Sequence, residues 1–164
     1  MDFDLSVCIC SWNTRDDLQR CLSALEDARQ EANFEVIVVE NNSEDGSGQM
    51  VLDEFKWVRL LQQYQNLGFT GGNNLAIAQR RGSHVLLLNS DAFVHGGAIQ
   101  SLMRHLQADT TIGVFGPKLL NEDASLQYSC RRFPNPIAAL FRNTFLGRWF
   151  PENRFTRDYL MSDW

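Results

Sequence analysis

Short, nearly continuous apolar runs alternate along the chain with stretches whose apolar residues recur at helical spacing. Leu5 to Cys10 reads as a first strand. Leu18, Leu22 and Leu25 then fall on one face of a helix whose other face carries Arg15, Gln19, Glu26 and Arg29. Thr14 offers that helix an N-cap oxygen, with Asp16 and Asp17 favourably placed in its first turn. Phe34 to Val39 reads as a second strand, Asn41 to Gly48 as a polar loop, Met50 to Phe55 as a short helix and Val58 to Leu61 as a third strand. Gly68 to Asn74 is an expected loop, and Leu75 to Arg81 an expected helix stopped by Gly82. The apolar run Val85 to Leu88 suits a strand buried on both faces, and it ends abruptly in Asn89, Ser90 and Asp91. Ala98 to Leu106 follows as a helix and Ile112 to Phe115 as a strand. Pro117 then breaks the pattern into loops, with a hairpin expected at Leu119 to Cys130 around Asn121-Glu122-Asp123. This alternation predicts an α/β domain: a mostly parallel central sheet, right-handed crossovers and flanking helices.

With 164 residues, 44% of them hydrophobic, and a mean hydropathy of -0.28, the chain has the length and apolar content of one ordinary soluble domain. A formal net charge of -5 supplies no basic field for DNA or RNA, so nucleic acid is not expected as a partner. Cys8, Cys10, Cys21 and Cys130 lack paired C-x-x-C spacing and read as reduced thiols. No apolar run approaches the ~18 residues of a membrane span, and Met1-Asp2-Phe3-Asp4 is acidic where a signal peptide is basic, so a cytoplasmic location is expected. The tail from Phe133 mixes aromatics with arginines, a pattern suited to packing on a further segment or to a membrane surface, with packing preferred.

All four strands of the first half end in polar residues: Ser11-Trp12-Asn13, Glu40-Asn41-Asn42-Ser43, Gln65-Asn66 and Asn89-Ser90-Asp91. Singly these are ordinary turn or cap residues, but in an open α/β sheet ligands bind beyond the carboxyl ends of the strands, so together they mark a site. Two common phosphate-binding motifs are absent. Ser11 to Asp16 contains no glycine where a dinucleotide fold needs G-x-G-x-x-G, and Gly68 to Asn74 lacks the lysine of a P-loop.

The segments Ile9 to Asn13, Val38 to Ser47, Gln65 to Asn74 and Leu87 to Asp91, in that order, resemble glycosyltransferase family 2, in particular its rhamnosyltransferase-like members. The resemblance covers about residues 5 to 120 and implies a GT-A (Rossmann-like) fold that uses a nucleotide-diphosphate sugar. It divides the chain into a nucleotide-sugar-binding core, 1–120, and an incomplete acceptor-side region or C-terminal extension, 121–164. On this resemblance Ser11, Trp12 and Asn13 lie against the donor base and ribose, with Trp12 as an aromatic wall. Glu40 stands where relatives commonly carry Asp and accepts from the ring N–H of uracil or thymine, and Asn42 joins it from the loop that follows. Asn66, Gly71 and Asn73 belong to a Gly-Asn-rich loop that shapes the donor side. Asn89 and Asp91 remain from a D-x-D-type motif, Asp91 completing an oxygen shell for Mg²⁺ or Mn²⁺ together with phosphate oxygens. Each has a plainer reading: Trp12 as a cap on the sheet edge, Glu40 as a strand end, Asp91 as an N-cap for the helix after Gly97.

The implied reaction is inverting, metal-dependent transfer of a sugar, rhamnose foremost, from a TDP- or UDP-sugar to a glycan or lipid-linked acceptor. The implied setting is polysaccharide or cell-wall synthesis, cytoplasmic or at the inner face of the membrane. In the family the base comes from a later acidic pair, which falls around or beyond Trp164, so no catalytic residue is assigned. A non-catalytic nucleotide-sugar-binding module is the alternative. A sugar nucleotidyltransferase ranks behind both, because Ser11 to Asp16 lacks the Gly-rich basic loop of that class.

Overall fold

Four strands, β1 (Phe3–Ser11), β2 (Phe34–Glu40), β3 (Arg59–Gln62) and β4 (Gly82–Asn89), pair in parallel in the order β3-β2-β1-β4. The structure, a computed structural model, describes residues 2–133, 135–150 and 153–161. It divides into two units, Met1–Gly113 and Val114–Trp164. The first holds the sheet and helices α1 (Arg15–Ala28), α2 (Ser47–Glu54), α3 (Gly68–Ala78) and α4 (Ala98–Ala108).

Alternation along the strands sorts the core into two layers. Leu5, Val7 and Ile9 of β1 and Val36 and Val38 of β2 cluster with Leu18, Leu22 and Leu25 of α1, Met50 and Val51 of α2, and Ile99 and Met103 of α4. On the opposite face Cys8, Ile37 and Val39 pack with Ala76 of α3. Helix α3 lies over β1 and β2, while register sets Val85 beside Ser6 and Leu87 beside Cys8 on the edge strand β4. Val85 and Leu87 are consequently 37% and 51% exposed, and β4 packs on the core through one face only, where Leu86 and Leu88 are partly buried, and not through the expected two. An apolar run reports how a strand can be covered; the length and position of the covering helix decide how far it is.

Three further expectations change. Helix α3 starts at Gly68, so the Gly-Asn-rich stretch is its first two turns and not a loop. Gly72 within it has a packing reason, since a Cβ there would collide with the Cys10 sulfur. Thr14 makes no cap hydrogen bond to α1, because its hydroxyl is engaged elsewhere. Ile112 to Phe115 forms no strand: Asp109 Oδ1 instead accepts from the Thr111 N–H at 2.9 Å, closing a turn, and Val114 is exposed.

The expected hairpin is present in the second unit as a single antiparallel bridge, Leu120 to Leu126, with the Asn121 N–H donating to the Ser125 carbonyl at 2.9 Å. Helices α5 (Pro136–Asn143), α6 (Leu146–Trp149) and α7 (Arg154–Leu160) follow. Asn135 and Asn153 cap α5 and α7, accepting from Ile137 and Thr156 N–H groups at 2.8 Å each. Among the described residues no helix is long and apolar enough to cross a membrane.

Candidate functional site

The loops that follow β1 and β2 are laced together at the C-terminal edge of the sheet. The Asn13 N–H donates to Ser43 Oγ at 3.0 Å, and Asn13 Oδ1 accepts from the Glu44 N–H at 2.9 Å. Asp45 accepts the Arg15 N–H through Oδ2 at 2.8 Å and the Ser47 N–H through Oδ1 at 3.0 Å, so one carboxylate caps both α1 and α2. Burial opposes its ionisation, yet the N–H groups of Ser47 and Arg15 outweigh that and hold its carboxyl below the usual range. Asn13 and Asn42 take left-handed φ values of 53° and 61°, conformations that asparagine tolerates better than most residues.

A chain of hydroxyls joins the end of β1 to the end of β4. Thr14 Oγ1 donates to Ser90 Oγ at 3.0 Å and lies 3.0 Å from Ser11 Oγ. With the Thr14 proton committed to Ser90, Ser11 must be the donor in that pair. On the other flank, buried Asn41 bonds the Cys10 sulfur at 3.0 Å through Nδ2, and its Oδ1 accepts the Leu67 N–H at 3.3 Å, fixing the start of α3 against the sheet.

Between these fixed edges opens a cavity of about 380 Å³ lined by Cys10, Trp12, Thr14, Asn41, Asn66, Gly68, Phe69, Asn89, Ser90 and Asp91. Trp12 and Phe69 are 55% and 63% exposed, so two aromatic rings are available at its walls. Asn66 Oδ1 accepts the Gly68 N–H at 2.7 Å, shaping the N-terminus of α3, a helix end whose dipole favours an anion. Among the described residues Asp91 brings the only carboxylate to the lining. Its charge, after the larger effect of burial, helps push the nearby Cys21 thiol up to about 12.

Of the residues expected at the site, Trp12, Asn66, Asn89 and Asp91 line the cavity. Ser11, Asn13, Glu40, Asn42, Gly71 and Asn73 do not. Glu40 is 2% exposed and accepts the Ser43 N–H at 2.6 Å, and Asn73 is buried and donates to the Phe69 carbonyl at 2.9 Å. Glu40 thus ties down the loop after β2, and Asn73 bonds within the first turns of α3. Cys10, Thr14 and Phe69 line the cavity without having been expected there, and Asn41 and Ser90, named only as part of the polar strand ends, line it too. For Cys10 and Asn41 a signal existed. Counting by twos from Cys8 on β1 and from Ile37 and Val39 on β2 puts both on the α3 face at the strand ends.

Among the described residues no group of three or more His, Cys, Asp or Glu could hold a metal ion. The donor set at the cavity, the Asp91 carboxylate with the amide and hydroxyl oxygens of Asn89 and Ser90, is all oxygen and suits a hard cation. A single carboxylate fits such an ion only where a phosphate-bearing ligand supplies most of the remaining oxygens.

The family described as "Glycosyl transferase family 2" matches residues 6–162. The N-acetylglucosaminyl-diphospho-decaprenol L-rhamnosyltransferase of Mycobacterium tuberculosis is 28% identical over 166 residues, covering 94% of this chain and 53% of that protein. Glycosyltransferase GlyG of Streptococcus pneumoniae is 29% identical over 116 residues, covering 66% of this chain and 38% of its own. Among solved structures, the mannosyltransferase PcManGT from Pyrobaculum calidifontis in complex with GDP-Man and Mn²⁺ superposes with a TM-score of 0.60 at 20% identity, over 69% of this chain and 34% of that one. TarS 1–349 of S. aureus in complex with UDP-GlcNAc gives a TM-score of 0.58 at 23% identity, over 64% and 31%. At these identities the structural likeness concerns the fold. The chain spans about half the length of the rhamnosyltransferases it matches.

Proposed function

The chain belongs to glycosyltransferase family 2, and from that premise we propose that its cavity holds a nucleotide-diphosphate sugar for transfer to a glycan or lipid-linked acceptor. It has the GT-A fold and is rhamnosyltransferase-like over this N-terminal part. One observation carries the donor reading: an aromatic wall, the amides of Asn66 and Asn89, the start of α3 and the carboxylate of Asp91 converge on a single cavity at the strand ends. The parts match a nucleoside diphosphate in kind: a ring for the base to stack on, amides for its polar edge, a helix terminus and a cation site for phosphate.

In this reading Trp12 stacks on the base, and Asn66 and Asn89 orient the ribose and diphosphate. Asp91 and Asn89 would hold Mg²⁺ or Mn²⁺, which when bound offsets charge on the leaving diphosphate. Ser11, Asn13, Glu40, Asn42, Gly71 and Asn73 act one layer out, keeping the loops and α3 in register. The transfer is inverting: an acceptor hydroxyl attacks the anomeric carbon and gives its proton to a base as the nucleotide diphosphate departs from the opposite face. Rhamnose on a TDP or UDP carrier is the proposed sugar, consistent with the relative's name, and residues 121–164 are assigned to the acceptor side.

A second reading has one specific observation in its favour. Among the described residues Asp91 is the only carboxylate lining the cavity, and a group that holds the cation is poorly placed to serve also as base, so a nucleotide-sugar-binding module without turnover fits equally. Calorimetric titration with UDP, TDP and GDP, with and without Mn²⁺, tests the shared part. Binding strengthened by Mn²⁺ in the wild type and lost in Asp91→Ala supports the donor site, and no binding to any nucleotide by the folded chain refutes it. Release of sugar nucleotide product in the presence of acceptor separates transferase from module.

A further inference from the structure

The two units carry opposite charge balances. Residues 1–113 hold fifteen acidic and eight basic side chains, whereas residues 114–164 hold seven basic and five acidic ones; six of the seven are arginines between 131 and 157, of which Arg132 is paired with Asp158 at 3.3 Å. The same stretch turns aromatic rings toward water. Phe145 and Trp149, edge to face at 6.1 Å, are 65% and 74% exposed, and Phe150 beside them in sequence is exposed as well. Phe141 and Phe155, by contrast, stack on each other at 6.0 Å and join α5 to α7. Arg148 and Arg154 lie within this segment and are exposed.

Exposed rings interleaved with guanidinium groups have the composition of an interfacial anchor. The rings enter the boundary between headgroups and acyl chains, and the long arginine side chains keep their charge at the level of the phosphates. We propose that the second unit docks this chain on an anionic lipid surface, with Phe145, Trp149 and Phe150 entering the interface and Arg148 and Arg154 meeting lipid phosphates. Charge complementarity selects the partner, because the acidic first unit is repelled by such a surface and only the arginine-rich segment is drawn to it. The cluster of rings favours a surface that is apolar beneath an anionic rim over a protein face matched by charge alone. Docking of this kind goes beyond sugar transfer and does not depend on it, so it can be tested without nucleotide, sugar or metal.

The experiment is co-sedimentation of the whole chain with vesicles of phosphatidylcholine alone and of phosphatidylcholine mixed with phosphatidylglycerol. The wild type is compared with Phe145→Ser/Trp149→Ser and with Arg148→Glu/Arg154→Glu, whose circular dichroism and thermal midpoints check folding. The expected result is binding to the anionic vesicles that weakens with salt and falls at least about tenfold in each double variant. Equal binding to both vesicle types, binding to neither, or lipid-free self-association abolished by the same substitutions would overturn the proposal. The arginine variant, which leaves every aromatic ring in place, keeps the test decisive if the aromatic one fails to fold.

Discussion

Asp45 accepts the backbone N–H of Arg15, thirty positions earlier in sequence, at 2.8 Å, and thereby caps a helix that its own Thr14 leaves uncapped. Its other oxygen serves Ser47 at the start of α2, so a single carboxylate sets the spacing of the two loops behind Trp12. Asp45→Ala should lower stability by about 1–2 kcal/mol, the usual range for a lost cap. Urea denaturation checks this: the midpoint should fall with an unchanged slope. A midpoint equal to that of the wild type would remove Asp45 from the scaffold.

The same carboxyl predicts a pH dependence. Its pKa is lowered on folding, so its contribution is full above the ordinary carboxylate range and disappears as pH falls through the depressed folded value. The difference in denaturation midpoint between wild type and Asp45→Ala should therefore be constant near neutrality and shrink on the acid side of about pH 4. A difference that grows with acid contradicts the assigned sign.

Gly72 and Cys10 form a packing pair in which one side chain exists only because the other does not. A Cβ on Gly72 would collide with the Cys10 sulfur, so Gly72→Ala should cost about 1–3 kcal/mol through overpacking. Adding Cys10→Ala should recover much of that loss, giving a favourable coupling in a double-mutant cycle. Additive losses would show that α3 shifts freely and that the contact does not fix it.

The layered α/β architecture was legible because apolar periodicity reports burial directly, as at Leu18, Leu22 and Leu25. What lay beyond it depended on partners distant in sequence. Val85 and Leu87 look like core until the position of α3 is known, and Thr14 looks like a cap until Ser90 claims its hydroxyl. The site divides in the same way. Polar residues at the strand ends lie at the edge where the cavity opens, yet whether each reaches the cavity is set by alternation and by competing hydrogen bonds. Asn13 and Glu40 are occupied by Glu44 and Ser43, and Cys10 and Asn41 emerge on the α3 side. Which motif residues line the cavity therefore depends on contacts that the motif itself does not contain.

The four thiols should differ sharply in reactivity. Burial first, and the charge of Glu35 next, push Cys8 up to about 11, and burial pushes Cys21 up to about 12, so at pH 8 roughly one in a thousand or fewer is thiolate. Exposed Cys130 should react fastest. Cys10, partly buried and raised by desolvation, should react slowly, and more slowly again when a nucleoside diphosphate fills the cavity. Mass mapping after alkylation reads each position. Undiminished labelling of Cys10 at saturating nucleotide would place the ligand elsewhere.

Trp12 and Asn13 are adjacent in sequence but should fail in different ways when truncated. Trp12 is more than half exposed at the cavity wall, so Trp12→Ala should leave the denaturation midpoint nearly unchanged. Loss of a stacking partner worth about 0.5–1.5 kcal/mol should weaken nucleoside diphosphate binding by roughly two- to tenfold. Asn13→Ala removes the acceptor for the Glu44 N–H and places alanine at a left-handed φ, so stability should fall by about 1–2 kcal/mol, with weaker binding as a consequence. Paired denaturation and calorimetry on the two variants distinguish the roles. If Asn13→Ala keeps its midpoint but loses binding, its side chain contacts the ligand directly. If Trp12→Ala binds as tightly as the wild type, the base lies against Phe69 or outside this cavity altogether.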